Sequence, residues 1–308
     1  ARSLNCQDAE ARVTASQALG LAISTPILAQ LRSNQLPAIV VEGAADEIFA
    51  LQSAASNTAA KVLWRRPGRG MGDGSRLLGP VAADLDGDNG KEIIVATSDA
   101  AGRAALVAYR HDGAVFWKTR LDQTPGAAPV WNVGGLTFWW PGCFRANRQV
   151  DLFVNTRRGP MHSDIGQLLD GRTGAVVWQR DKAVLPGQFT WGYAGIPPAV
   201  ADLDGDGLDE LISLYPVCFW VADGRTGRLK QGVELASRKW LPAWAAYGEP
   251  MIHTFGGTNL VLLDSQYILG MLSTNGEPRW HAGVRPDFPT PAAVCQAAER
   301  AVAEGKTK

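Results

Sequence analysis

The feature that most constrains this chain is a period. Two near-identical acidic stretches, A-D-L-D-G-D-N-G-K-E at Ala83–Glu92 and A-D-L-D-G-D-G-L-D-E at Ala201–Glu210, stand 118 residues apart. A second stretch, D-G-R-T-G, occurs at Asp170–Gly174 and Asp223–Gly227. It has looser copies in H-D-G-A-V-F-W (His111–Trp117), T-N-G-E-P-R-W (Thr274–Trp280) and S-N-T-A-A-K-V-L-W (Ser56–Trp64). These copies end on Trp64, Trp117, Trp178 and Trp280, with Lys230 filling the slot between the last two, in steps of 53, 61, 52 and 50 residues. In phase with them, a proline opens an apolar segment at Pro26, Pro80, Pro129, Pro198, Pro250 and Pro291. Proline is tolerated at the first residue of a strand, where its missing N–H is not needed.

Each unit reads as four short strands. The second is clearest: P-V-A-A-D-L, K-E-I-I-V-A-T, A-A-L-V-A-Y and A-V-F-W-K-T, separated by turns rich in Gly, Asp and Asn. The runs are short and apolar, without helical spacing. Four strands repeating every ~40–50 residues define a β-propeller blade, whereas tandem sandwiches need roughly 100 residues per domain. The expected fold is therefore all-β, a β-propeller of four-stranded antiparallel blades. Blades start near residues 25, 79, 128, 197, 249 and 290, five of them complete and the sixth partial. Residues 1–24 are expected to be a separate segment, helical or a closing strand, ahead of a propeller over 25–308. The incomplete sixth unit reads as part of a longer propeller in preference to a small ring closed by the N-terminal segment.

Composition narrows function by exclusion. The 308 residues carry 30 basic and 30 acidic side chains, for a formal net charge of zero, which gives no case for nucleic acid. No apolar run approaches the roughly 18 residues of a transmembrane helix. Cys6, Cys143, Cys218 and Cys295 are widely scattered. They suit free thiols or one disulfide and not a zinc site.

The acidic stretches are candidate metal loops. Asp84, Asp86, Asp88, Gly90 and Glu92 match Asp202, Asp204, Asp206, Leu208 and Glu210 at positions 1, 3, 5, 7 and 9. In a tight loop, alternate residues turn oxygens toward one point. Three Asp carboxylates, the position-7 backbone carbonyl and the position-9 Glu supply the hard oxygens that Ca²⁺ takes at about 2.3–2.6 Å. Mg²⁺ demands tighter octahedral geometry. Position 12, where an EF-hand needs its bidentate Glu, falls on Val95 and Ser213. The flanks read as strands, and both copies sit between first and second strands. The corresponding loops of other units are expected at Leu31–Leu36, Asn132–Leu136 and Thr254–Thr258, none with the carboxylates. The expectation is two calcium ions.

These loops resemble the D-x-D-G-D-G-x-x-[DE] motif of FG-GAP/VCBS-type propeller repeats. The D-G-R-T-G turns resemble the tryptophan-docking motif of PQQ-type quinoprotein propellers. Together the resemblances span residues from about 25 to 291. The first implies calcium at the carboxylates named above and a secreted, periplasmic or cell-surface setting. Quinoprotein dehydrogenases carry a vicinal Cys pair, and no two cysteines here are adjacent. The docking turns are accordingly expected to act as pins between blades, and a quinoprotein-like oxidoreductase is disfavoured.

No G-x-S-x-G, H-E-x-x-H or phosphate-binding loop occurs. Of the histidines, His111 and His281 adjoin turns, His162 lies in a polar loop, and His253 lies on an expected first strand. The third unit is the longest and aromatic. Trp131, Trp139, Trp140, Trp191 and Tyr193 are candidate ligand-binding residues, because aromatic planes suit carbohydrate stacking or a protein hot spot. The expected function is a non-catalytic binding or scaffold module for protein or polysaccharide, with a propeller-type polysaccharide lyase or hydrolase, or its accessory domain, as the alternative.

Overall fold

The computed structural model describes residues 25–33, 35–43, 46–52, 61–69, 79–98, 104–121, 137–157, 163–181, 198–214, 218–234, 251–255, 258–264, 269–273 and 278–282. Every regular element among them is a strand, and the twenty strands form five four-stranded sheets. Sheet I is β1 (Ile27–Ala29), β2 (Ala38–Gly43), β3 (Glu47–Gln52) and β4 (Lys61–Pro67). Sheet II is β5 (Val81–Ala83), β6 (Glu92–Ser98), β7 (Ala104–Tyr109) and β8 (Val115–Arg120). Sheet III is β9 (Thr137–Gly142), β10 (Asp151–Arg157), β11 (Ser163–Leu169) and β12 (Val176–Asp181). Sheet IV is β13 (Ala199–Ala201), β14 (Glu210–Leu214), β15 (Cys218–Asp223) and β16 (Arg228–Glu234). Sheet V is β17 (Met251–Phe255), β18 (Thr258–Asp264), β19 (Leu269–Ser273) and β20 (Pro278–Ala282). In each, consecutive strands are neighbours, as short turns between antiparallel strands dictate.

Pro26, Pro80 and Pro198 each stand immediately before the first strand of a sheet, and Pro250 lies outside the described residues. The third unit departs from this. Its first strand begins at Thr137 and carries Pro141 within it, on the edge of its sheet where no ladder donor is needed. Pro129 lies outside the described residues. Asn132–Leu136 therefore precedes β9, and the connection from first to second strand is instead residues 143–150. Residues 1–24, and the partial sixth unit from Pro291, also lie outside the described residues.

The chain divides into two compact units, Ala1–Trp140 with Leu169–Ala175, and Pro141–Leu168 with Val176–Lys308. In the first, Val40, Ile48, Ala50, Ile93, Val95 and Val107 pack into one buried cluster shared by sheets I and II. In the second, Phe144, Phe153, Leu168, Leu211, Trp220 and Ala222 form the corresponding cluster. Middle strands are covered on both faces: on β3, Ile48 and Ala50 join the shared cluster while Phe49 and Leu51 join another with Val41. This is why they read as continuous apolar runs. The fourth strands β4, β8 and β12 are largely exposed except for one tryptophan each, at 5% for Trp64 and 7% for both Trp117 and Trp178.

Those tryptophans reach out of their own sheet. Trp64 Nε1 donates to the His111 carbonyl at 2.9 Å, Trp117 Nε1 to Gly171 at 2.7 Å, and Trp178 Nε1 to Gly224 at 3.0 Å. Each ring lies on a glycine of that turn, respectively Gly113, Gly174 and Gly227, with φ of 77°, 69° and 64°. A Cβ there would sit 2.7–2.8 Å from the ring, so glycine is required both for the backbone and for the contact. Two residues beyond each tryptophan a second donor reaches the same turn: Arg66 to Gly113, Thr119 to Gly174 and Arg180 to Thr226. The docking turns are thus pins between successive sheets.

Register corrects one assignment. Trp64, Trp117 and Trp280 each pair immediately after a bulge residue, namely Leu63, Phe116 and Arg279. In sheet IV the bulge residue is Lys230, and the tryptophan slot belongs to Gln231, which pairs with Val221. Lys230 does not replace a tryptophan: Trp178 stands eight residues after Asp170, and the residue eight after Asp223 is Gln231.

Candidate metal loops

The two acidic loops are copies in their hydrogen bonds as well as in sequence. In the first, Asp84 accepts the N–H groups of Gly87 (2.7 Å) and Asn89 (3.0 Å), Asp86 accepts Asp88 (3.3 Å), and Asp88 accepts Gly90 (2.6 Å). In the second, Asp202 accepts Gly205 (2.7 Å) and Gly207 (2.9 Å), Asp204 accepts Asp206 (3.3 Å), and Asp206 accepts Leu208 (2.8 Å). Short Asp side chains that satisfy backbone donors a few residues on are what lets so tight a loop form. Gly87 and Gly205 take φ of 82° and 83°, and Asn89 stands at 67° where the second loop has Gly207 at 85°.

The position-9 glutamate closes each loop from the start of the second strand. Glu92 pairs with Ala83 and accepts the Leu85 N–H at 2.9 Å; Glu210 pairs with Ala201 and accepts the Leu203 N–H at 2.8 Å. Both are 3% exposed. Burial pushes the Glu92 carboxyl up to about 7, with Asp86 and Asp88 adding to the rise against the Leu85 hydrogen bond. Burial also raises Glu210, while the Leu203 N–H and Lys230 pull it back.

Carboxylate oxygens of Asp84, Asp86 and Glu92 lie within 4.8 Å of one another, as do those of Asp202, Asp204 and Asp206. Hard, anionic, convergent oxygens, joined in the first loop by a desolvated glutamate, fit a divalent cation. Asp88 and Glu210 stand outside these convergent carboxylate sets.

The basic neighbours differ. At the first loop, the Arg110 guanidinium lies 4.3 Å over the Phe116 ring and reaches Asp86 at 3.4 Å. Arg172 donates to the Asp86 carbonyl at 3.0 Å. At the second, Lys230 Nζ sits 2.6 Å from Asp204 and 3.0 Å from Glu210. Burial works against this ammonium, but its bonds to the two carboxylates outweigh that and raise its pKa, while Lys230 lowers that of Asp204. The sequence held the signal for Lys230, but counting it into the tryptophan series hid it.

The first-to-second connections elsewhere are held differently. In sheet I the Gln30 amide donates to the Arg32 and Gln35 carbonyls. In sheet III Arg145 makes a bidentate pair, at 2.6 and 2.7 Å, with Asp151, which opens β10 as Glu92 and Glu210 open β6 and β14 and is fully buried. Thr254–Thr258 spans the connection in sheet V, as expected. Of the aromatic candidates, Trp139 is 1% exposed and so belongs to the core, offering no surface plane, and Trp140 is half-buried. Trp131, Trp191 and Tyr193 lie outside the described residues, as do His162, Cys6 and Cys295. His253 lies on β17, a first strand, and His281 on β20. Cys143 is a free thiol whose pKa burial raises.

No family model matches this chain, and no curated protein matches it. Among solved structures it is similar to the exotype rhamnogalacturonan lyase YesX, at 17% identity and TM-score 0.53, over 86% of this chain and 49% of that one. It is similar to an Agrocybe aegerita lectin that recognises non-reducing terminal N-acetylglucosamine, at 18% identity and TM-score 0.55, over 89% of this chain and 70% of that one. It is also similar to the quinohemoprotein alcohol dehydrogenase of Comamonas testosteroni, at 13% identity and TM-score 0.51, over 86% and 43%. The chain spans about half the length of the lyase, 49%. At such identities the likeness establishes fold alone: the protein is a β-propeller of four-stranded antiparallel blades. Among the described residues no helix is long and apolar enough to cross a membrane.

Proposed function

We propose that this is a calcium-binding β-propeller of the FG-GAP/VCBS type, with docking turns of the PQQ-propeller type, serving as a binding or scaffold module for carbohydrate or protein in a secreted, periplasmic or cell-surface setting. The observation that carries the reading is the pair of acidic loops, which repeat each backbone-to-carboxylate hydrogen bond over a spacing of 118 residues. Without a cation, each gathers carboxylates whose mutual repulsion opposes the turn they build. Bound calcium would draw first and second strands of the sheet together at their shared end.

Among proteins of this fold, one recognises N-acetylglucosamine and another is a rhamnogalacturonan lyase. A polysaccharide is therefore the first ligand to screen. Calcium calorimetry on chelator-treated protein, with a glycan-array screen in calcium and in EDTA, tests the reading. Calcium uptake and glycan retention without cleavage support it. Absence of calcium binding overturns the metal assignment, and depolymerisation of rhamnogalacturonan replaces the binding module with the lyase.

A further inference from the structure

We propose that Lys230 is the resident cation of the second acidic loop: a tethered ammonium that a divalent ion has to displace, so that the first loop loads before the second. The inference rests on the reading of both loops as calcium sites. It starts from a difference between their basic neighbours. In sheet II the bulge residue of the fourth strand is Phe116; in sheet IV it is Lys230. The same backbone irregularity therefore presents a ring beside one loop and an ammonium beside the other.

The ammonium bridges two ligand positions at once, Asp204 at position 3 and Glu210 at position 9. The Glu210 side chain is 4% exposed while Lys230 is 36% exposed, so the contact is buried at its glutamate end and open at its lysine end. The convergent oxygens bear the mark of it. In the first loop the position-9 glutamate gathers with Asp84 and Asp86; in the second the gathered set is Asp202, Asp204 and Asp206, and Glu210 stands apart. The fifth carboxylate there, Asp209, is turned to the Cys143 N–H at 2.6 Å. At the first loop, Arg110 touches Asp86 alone, at 3.4 Å, and lies flat on Phe116. A metal entering the first loop displaces no cation from its glutamate. Sheet III shows a protein cation serving at the same place outright, since Arg145 holds the strand-opening Asp151.

The test is calcium calorimetry on chelator-treated wild type, Lys230→Met and Phe116→Lys, with Tm measured in chelator. Wild type is expected to show one tighter and one weaker site. Lys230→Met tightens the weaker site by about tenfold or more and leaves the other unchanged, because a unit charge a few ångströms away is worth at least that factor at an intermediate dielectric. In chelator its Tm falls, since Asp204 and Glu210 lose the ammonium that bridges them. Phe116→Lys leaves the second loop untouched and weakens the tighter site, which keeps the proposal open to refutation should Lys230→Met fail to fold. Two equal sites in wild type, or unchanged affinities in both variants, overturn the inference while leaving the calcium reading standing. No calcium binding in any of the three proteins overturns the calcium reading and the loading order together; a Tm loss confined to Lys230→Met in chelator still supports Lys230 as the resident cation.

Discussion

The docking turns and the first-to-second connections are both repeated in successive sheets, yet they have diverged to different degrees. The turns are nearly invariant: a ring on a glycine, an indole N–H to a carbonyl, and a second donor two residues on, three times over. The connections are held by a glutamine amide, by carboxylates beside an arginine, by a buried arginine–aspartate pair, and by carboxylates beside a lysine. Shape explains the contrast. A buried indole must meet one surface, and few other side chains fill that volume. Charge at a loop has only to be balanced, and amide, guanidinium, ammonium and metal ion can each do it.

The largest expected effect lies in the turns. Trp117→Ala removes a buried ring and its hydrogen bond and should cost about 3–5 kcal/mol in urea unfolding. Gln231→Ala, in the equivalent slot of sheet IV, should cost less than about 1 kcal/mol. Equal losses would show that the tryptophans are not what distinguishes the pinned turns. Next is Arg145→Ala. It removes the bidentate partner of the fully buried Asp151 and should cost about 2–3 kcal/mol, toward the low end for a broken buried pair because the arginine side chain is 24% exposed. Adding Asp151→Asn should recover part of that loss; no recovery would mean that packing, and not charge, is what Arg145 supplies.

Much of this was legible in the sequence, and the reasons are physical. Strands of sheet II fall where short apolar runs and turn residues put them, because a repeated unit shows the same boundaries several times. The acidic loops are legible because Asp at alternate positions has few structural uses other than closing a turn on itself or on a cation. Three features escape that reading. Lys230 stands one residue short of the tryptophan position, which the eight-residue spacing from Asp170 to Trp178 assigns to Gln231, and placing it in the tryptophan series conceals its approach to Asp204. The third unit starts at Thr137 and not beside Pro129, because an edge strand can carry proline internally. Trp139 was read as a ligand plane, yet its burial follows from which face of β9 it occupies, which an apolar run without alternation does not reveal.

The smallest effect is in pH. The Glu92 carboxyl stands at about 7 in the metal-free fold and at an ordinary 4.5 when unfolded. Between these values the folded state holds a proton that the unfolded state has released, so on this group's account metal-free stability is greatest at low pH and falls as pH rises through that window. Calcium needs the ionised glutamate, so its stabilising increment should be small at pH 5, grow through pH 7 and level off above. Glu92→Gln has no proton to release, and its Tm difference between calcium and EDTA should be smaller and flat over the same range. Comparing the two slopes cancels the other carboxylates, whose shifts run in both directions. The second loop offers the internal contrast. Lys230 already favours the ionised form of Glu210, so Glu210→Gln should change the pH slope less than Glu92→Gln does. Equal slopes would mean that the lysine does not set the two loops apart.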